Sequence, residues 1–317
     1  MKTLLFILFI LPCTLLYAAK SVVIDTDAST DDAIAILYLL NQKDINIKAI
    51  IVDKNGASNP DTAASHIAYV LQLANKTNIP VYHGLDKKPK YGNTYPPKAR
   101  SLMDNSFPQN AKLQNAITRS QLIDLIKQQK VTLLSLGSLT NIADILPEVK
   151  QNINNIVIMG GAIDVSGNID VFIPNTKNKY AEWNIFVDPD AFATVLRSDI
   201  SMILVSLDVT NNAILTDKFL LHLKQLSNSP NAAFIYDLLM PSKQYIDAGE
   251  YDFWDPLAAY VLVNNVPTTL KYINVNLKRG EHFGQVYESP HGYPVNVITR
   301  INTASLEKAL LDACRYQ

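Results

Sequence analysis

The chain has 317 residues, 48% of them hydrophobic and 18% charged, with a formal net charge of −1. That length carries one large domain or two modest ones, and the composition suits a packed globular core. The lack of a basic excess argues against nucleic acid as a partner.

In chain order, Met1-Lys2 comes first, followed by TLLFILFILPCTLLY and Ala18-Ala19. A basic start, an apolar stretch short of the roughly 20 residues of a membrane span, and small residues read as a secretory signal peptide over residues 1–19. A retained anchor is the competing reading, because Leu16 or Tyr17 stands where cleavage prefers a small residue. Cleavage leaves a domain of residues 20–317, with no stable membrane association and Cys314 as its only thiol. Such a chain has neither an internal disulfide nor a thiolate metal site.

Beyond the leader, strands and helices alternate. Residues 21–24, 45–52, 131–136, 156–159 and 203–207 are apolar, β-branched runs and read as buried strands. Helical spacing marks 32–40, 61–73, 119–129, 188–196, 218–226, 256–263 and 305–314. The alternation predicts an α/β fold of one Rossmann-like domain: a mostly parallel sheet with helices on both faces. Residues 87–112 and 167–180 read as long irregular loops, either lids and binding loops or plain surface excursions.

The first strand runs into an aspartate cluster, VVIDTDASTDDAIAIL, holding Asp25, Asp27, Asp31 and Asp32. In open α/β sheets ligands bind at the carboxyl ends of the strands, which is where Asp25 and Asp27 stand. Asp31 and Asp32 open the next helix, whose dipole stabilises a carboxylate by about 0.3–1 kcal/mol. That cannot offset four crowded charges, whereas a divalent cation can. Carboxylate oxygens suit Ca2+ or Mg2+. The five histidines are not paired at zinc spacing. Helix capping by Asp31 and Asp32, with Asp25 and Asp27 solvated, is the plain alternative. A phosphatase of the haloacid-dehalogenase type is a third, but Ser29 stands where that family has Thr or Val.

The segment DTDASTDDAIAIL resembles the N-terminal signature of the nucleoside hydrolases. LGSLTNIADIL (136–146), IVIMGGAIDVSGN (156–168), AEWNIFVDPDAF (181–192), LVSLDVT (204–210) and WDPLAA (254–259) resemble further segments of that family, in its order. The resemblance implies a Ca2+-dependent hydrolase that splits ribonucleosides into base and ribose. Its implied Ca2+ ligands are Asp27, Asp32, Asp255 and the backbone carbonyl of Thr140. Asp27 is also implied as the base acting on water. Asp31, Asn168, Glu182 and Asn184 match residues that grip the ribose hydroxyls. Asn55 matches a site-facing position more loosely, with Asp53 and Asn59 as competitors, and Asp25 is left as support. A homodimer or homotetramer is implied on the same footing.

The base is read from the two tryptophans, Trp183 and Trp254, each beside an implied substrate residue. Aromatic faces stack on purines, and the pair resembles the inosine–adenosine–guanosine-preferring branch. That branch has a further tryptophan where this chain has Ala99, so Tyr91 or Tyr95 has to take its part. A pyrimidine-preferring or non-specific hydrolase is the alternative within the family. An exported, non-catalytic nucleoside- or sugar-binding protein is the alternative outside it.

Overall fold

The structure is a computed structural model and describes residues 19–86, 89–91, 93–109 and 111–315. The leader, with Cys13, falls outside these residues except for Ala19. Among the described residues ten strands form one sheet. They are β1 (Lys20–Thr26), β2 (Ile45–Val52), β3 (Val81–Tyr82), β4 (Ala116–Ile117), β5 (Val131–Ser135), β6 (Ile153–Met159), β7 (Met202–Val205), β8 (Thr268–Val275), β9 (Val286–Glu288) and β10 (Tyr293–Ile298). Their order across the sheet is β4-β3-β2-β1-β5-β6-β7-β10-β8-β9. Every pairing from β4 through β7 to β10 is parallel. Only β8 with its neighbours β10 and β9 runs antiparallel.

Alternation along the central strands explains the layers. Val22, Ile24, Ile50, Val52 and Leu134 pack into one buried cluster, while Val23, Ala49, Ile51 and Leu133 pack into another. Successive side chains point to opposite faces of a strand, so the sheet buries both faces under helices. That is why these strands read as continuous apolar runs rather than as alternating ones. The α/β fold with helices on both faces is as expected from the sequence.

Several elements depart from the reading. Strands β3 and β4 have two residues each, too few to show any periodicity. The antiparallel strands β8 to β10 and the helix Pro230–Leu239 were not anticipated. The loop expected over 87–112 contains the helix Pro97–Asn105, which opens on Pro97, whose fixed φ suits a first helical position. The strand expected over 203–207 ends at Val205, and Leu207–Thr210 is already helical. Among the described residues, no helix is long and apolar enough to cross a membrane.

Candidate active site

The carboxyl ends of β1, β5, β6 and β7 deliver Asp27, Leu136, Met159 and Leu207 to the wall of one cavity of about 300 Å³. Asp27 is the first residue beyond β1. Ala28 follows with φ +60°, a left-handed backbone at a non-glycine residue, and turns the chain into the helix Thr30–Leu40. Strain of this kind is tolerated where the surroundings over-determine it. Here the Ala28 amide donates to Thr26 Oγ1 at 3.1 Å. Asp32 accepts from Thr26 Oγ1, from the Ser29 amide at 3.1 Å and from Ser29 Oγ at 2.8 Å. Asp31 shares the Ser29 hydroxyl with Asp32.

Asp255, in the first turn of the helix Trp254–Val263, completes the cluster from the far end of the chain. Carboxylate oxygens of Asp31, Asp32 and Asp255 lie within 4.8 Å of one another. Asp27 adjoins them through Asp32, and its Oδ2 accepts from the Ala57 amide at 2.9 Å. Burial, reinforced by the Asp32 charge, pushes the carboxyls of Asp27 and Asp255 well above the usual range and that of Asp31 up to about 6. No Lys, Arg or His lines the cavity among the described residues. A buried set of oxygen donors with no cation on the cavity wall fits a hard divalent metal. The triad grouped by geometry carries Asp31 where the sequence reading had Asp27.

Opposite stand Asn168, Glu182, Trp183 and Asn184, all on the cavity wall. Glu182 caps the helix Trp183–Val187, accepting from the amides of Asn184 and Ile185. It also accepts from the Gly161 amide at 2.9 Å. Gly161 has φ +83°, a conformation open to glycine and strained for other residues. Asn168 Oδ1 accepts from the Trp183 amide at 3.0 Å, and Asn184 Nδ2 donates to the carbonyls of Leu136 and Met159. These bonds fix three polar side chains at the cavity edge before any substrate arrives.

Five residues named from the sequence as site residues or their competitors fall elsewhere. Thr140 is not on the cavity wall, and its hydroxyl donates to Asp188 Oδ2 at 2.8 Å. It begins the helix Thr140–Val149, so its carbonyl points down the helix axis, away from the N-terminal end. Leu136, just beyond β5, is the residue of that turn that does reach the cavity. Asn55 is buried behind the wall, its amide donating to Asp53 Oδ1 at 2.9 Å. Asp53 and Asn59 do not line the cavity either. Tyr91 packs edge-on against Phe283 at 4.8 Å, away from the site.

Tyr95 and Ala99 do line it, but Tyr95 stacks directly on Trp183, 4.4 Å between centroids and 19° between planes. Phe172 and Phe186 crowd the same indole. Trp183 is therefore a member of an aromatic cluster rather than an open platform. Trp254 is half-buried on the wall and tilts against Tyr251 at 5.1 Å. Asp25 is buried, with Oδ1 accepting from Asn141 Nδ2 at 3.0 Å, a bond that ties the end of β1 to the first turn of the helix Thr140–Val149. Sequence reasoning passed over Tyr251 and Asp252. Their position within YDFWDP, beside Trp254 and Asp255, was the available signal.

Residues 22–308 match the family of inosine-uridine preferring nucleoside hydrolases. The chain belongs to this family. The pyrimidine-specific ribonucleoside hydrolase RihA of Shewanella woodyi is 34% identical over 238 residues, covering 69% of this chain and 70% of that one. Nucleoside hydrolase 3 of Arabidopsis thaliana is 26% identical over 343 residues, covering 86% of this chain and 38% of the longer plant protein. Among solved structures, the inosine-uridine preferring nucleoside hydrolase of Bacillus anthracis has the same fold, with TM-score 0.83 at 23% identity over 93% of this chain and 99% of that one. A purine-preferring ribonucleoside hydrolase from Gardnerella vaginalis gives TM-score 0.78 at 22% identity over 93% and 98%. The protein is thus a nucleoside hydrolase acting on small-molecule ribonucleosides, and its acidic cluster could bind a metal.

Proposed function

We propose that this hydrolase depends on Ca2+, prefers purine ribonucleosides and works outside the cytoplasm. One observation carries the core of the reading: a single cavity joins the aspartate cluster to Asn168, Glu182 and Asn184. Asp31, Asp32 and Asp255, with Asp27 beside them, are the residues that would hold the cation. A bound divalent cation supplies Lewis acidity, lowering the pKa of a water and fixing its place.

The chain's own groups do the rest. Asp27, held by the Ala57 amide, takes the proton of the attacking water. Asn168, Glu182 and Asn184 grip the ribose hydroxyls, which selects ribosides over deoxyribosides because an unpaired buried polar group is costly. As the N-glycosidic bond breaks, positive charge builds on the sugar, and the surrounding carboxylates stabilise it.

Trp254 supports the purine preference, since its half-buried indole lies on the wall beside Tyr251. Large aromatic faces stack on purine rings. A pyrimidine preference is the second reading. It is favoured by Tyr95 covering Trp183 and by the pyrimidine specificity in the name of the Shewanella woodyi relative.

Release of free ribose from inosine, adenosine, guanosine, uridine and cytidine, with Ca2+ and with chelator, tests the reading. Inosine turnover above uridine, abolished by chelation, is expected. Uridine far above inosine would overturn the purine preference, and full turnover in chelator would overturn the metal. Export is proposed from residues 1–19, with residues 20–317 as the catalytic domain. A mature protein recovered outside the cytoplasm with its N-terminus near Lys20 is expected, and an intact Met1 on a cytoplasmic protein refutes it. A homodimer or homotetramer is the proposed assembly, and a monomer in light scattering refutes that.

A further inference from the structure

A nucleoside hydrolase has two problems to solve in one cavity. Water must be activated at one side of the sugar, and the base must be made to leave at the other. An anionic purine or pyrimidine is a poor leaving group, so a proton delivered to it as the bond breaks lowers the barrier. The aspartate cluster serves the first task. The second needs a donor at the Trp254 end.

The candidates there are few. The cavity wall carries no Lys, Arg, His or Cys among the described residues, so the proton has to come from a carboxyl or a phenol. Of the carboxyls, Asp31 and Asp255, with Asp27 beside them, belong to the acidic cluster, and Glu182, held by backbone amides at the head of the helix Trp183–Val187, is assigned to the ribose hydroxyls. Of the phenols, Tyr251 is bonded through its hydroxyl to Thr30 Oγ1 at 2.9 Å, and burial pushes it far up. Tyr95 is stacked on Trp183 and is likewise pushed well up by burial. Glu250 and Tyr245 are exposed at the rim. Asp252 remains.

We propose that Asp252 is the general acid that protonates the departing base, a role that rests on the nucleoside hydrolase reading of the cavity. Its backbone is held on both sides. Asp252 forms a β-bridge with Ile214. The Leu215 amide donates to the Tyr251 carbonyl and the Phe253 amide to the Ala213 carbonyl, both at 2.8 Å. The side chain is half-buried on the wall, two residues before Trp254, and no hydrogen bond engages its carboxyl among the described residues. It is therefore presented rigidly, and nothing in the protein competes for its proton.

Burial, with no charged partner, pushes Asp252 up to about 6. The ionisable groups on the surrounding elements are Asp31 and Asp32 on the helix Thr30–Leu40, Asp255 on Trp254–Val263, Tyr245 on Lys243–Ala248, and neighbouring Glu250 and Tyr251. The paired stretch 213–216 carries none. Lys243 is engaged by Asp217 and Asp247. In the step, the C1′–N bond breaks with its electron pair going to the base. The Asp252 proton moves to a ring nitrogen or a carbonyl oxygen of the base. The water oxygen bonds to C1′, and the water's proton goes to Asp27. Solvent then reprotonates Asp252.

The test compares wild type with Asp252→Asn on inosine and uridine, and on p-nitrophenyl riboside, whose leaving group departs without a proton. The expected result is a fall in nucleoside kcat of about 100-fold, with p-nitrophenyl riboside turnover close to wild type. That retained turnover also certifies a folded site. Wild-type nucleoside kcat should decline as pH rises past about 6, and the variant should lose this limb. Unchanged nucleoside kcat in Asp252→Asn, or equal losses on both substrate types, would overturn the assignment. A loss reproduced by Glu250→Gln and not by Asp252→Asn would move the role to Glu250. Wild type inert toward nucleosides and p-nitrophenyl riboside alike would instead fell the hydrolase reading, and this assignment with it.

Discussion

Gly56→Ala is the sharpest steric test of how Asp27 is placed. A methyl group added at Gly56 would lie 2.0 Å from Asp27 Cβ and 2.5 Å from Asp27 Oδ2. Carbon atoms in contact sit about 3.5–4.0 Å apart, so the separation must grow by roughly 1.5–2 Å. Either Asp27 swings out of place or the 53–58 loop backs away, taking with it the Ala57 amide bonded to Asp27 at 2.9 Å. A misplacement of about 1 Å at a reacting group can cost on the order of 100-fold, so kcat/KM should fall by about that factor or more. Overpacking costs about 1–3 kcal/mol, at roughly 2–4 °C in Tm per kcal/mol, so the variant should stay folded. Ribose release and a thermal melt, read side by side, make the measurement. Gly280→Ala is the control, because a methyl group there meets nothing within 4 Å although φ is +135°. Wild-type kcat/KM in Gly56→Ala would refute the reasoning, since the reacting carboxylate could not then be the one packed against that glycine.

Three further outcomes follow from the same structure. Ca2+ should raise Tm over chelator, by about 2.7 kcal/mol of stability at a hundredfold excess over Kd, and Asp255→Asn should remove most of the gain; an equal Tm in Ca2+ and chelator refutes the metal site. His66 is buried and stacked on Phe107 at 3.9 Å, and burial holds its pKa below the ordinary value. The unfolded chain therefore takes up more protons as pH falls, and the stability His66 contributes above about 6.5 is lost below it. Denaturant unfolding at roughly pH 7 and pH 5 should show a larger drop for wild type than for His66→Gln, and equal drops refute this. Cys314 is buried, with its thiol pushed up to about 12, so in a chain starting at Lys20 a thiol reagent should label only after unfolding; rapid labelling of native protein refutes its burial.

What the sequence disclosed, and what it hid, follows the range of the forces involved. Strands β1 and β2 and their helices were legible because a buried parallel strand is a local pattern, an apolar run closed by a breaker. Strands β3 and β4 were not, since a two-residue strand exists only through its neighbours. The helix Pro97–Asn105 is polar on average, so its sequence reads as loop, yet it carries Ala99, Leu102 and Met103 to the cavity. Motif order was enough to bring Asp255 to Asp32 across the chain. It could not say which way a carbonyl faces, and so Thr140 was named where Leu136 reaches the cavity. Composition likewise revealed an aromatic at residue 95, but not that it would spend its face on Trp183.

The four aspartates show how such a cluster can be folded at all. Each has a hydrogen-bond donor: Asn141 for Asp25, the Ala57 amide for Asp27, the Ser29 hydroxyl for Asp31, and the Thr26 hydroxyl with the Ser29 amide for Asp32. These bonds are short-range and set the shape of the loop from within the chain. They do not neutralise it: burial and mutual repulsion still raise Asp25, Asp27, Asp31 and Asp255. The geometry is thus built by the chain, and the uncompensated part is charge, which is what a cation supplies. An Asp255→Asn protein should accordingly keep its fold while losing its affinity for Ca2+, because the change removes a charge and alters one contact to Asp32, while the bonds from Thr26, Ser29, the Ala57 amide and Asn141 that shape the loop remain.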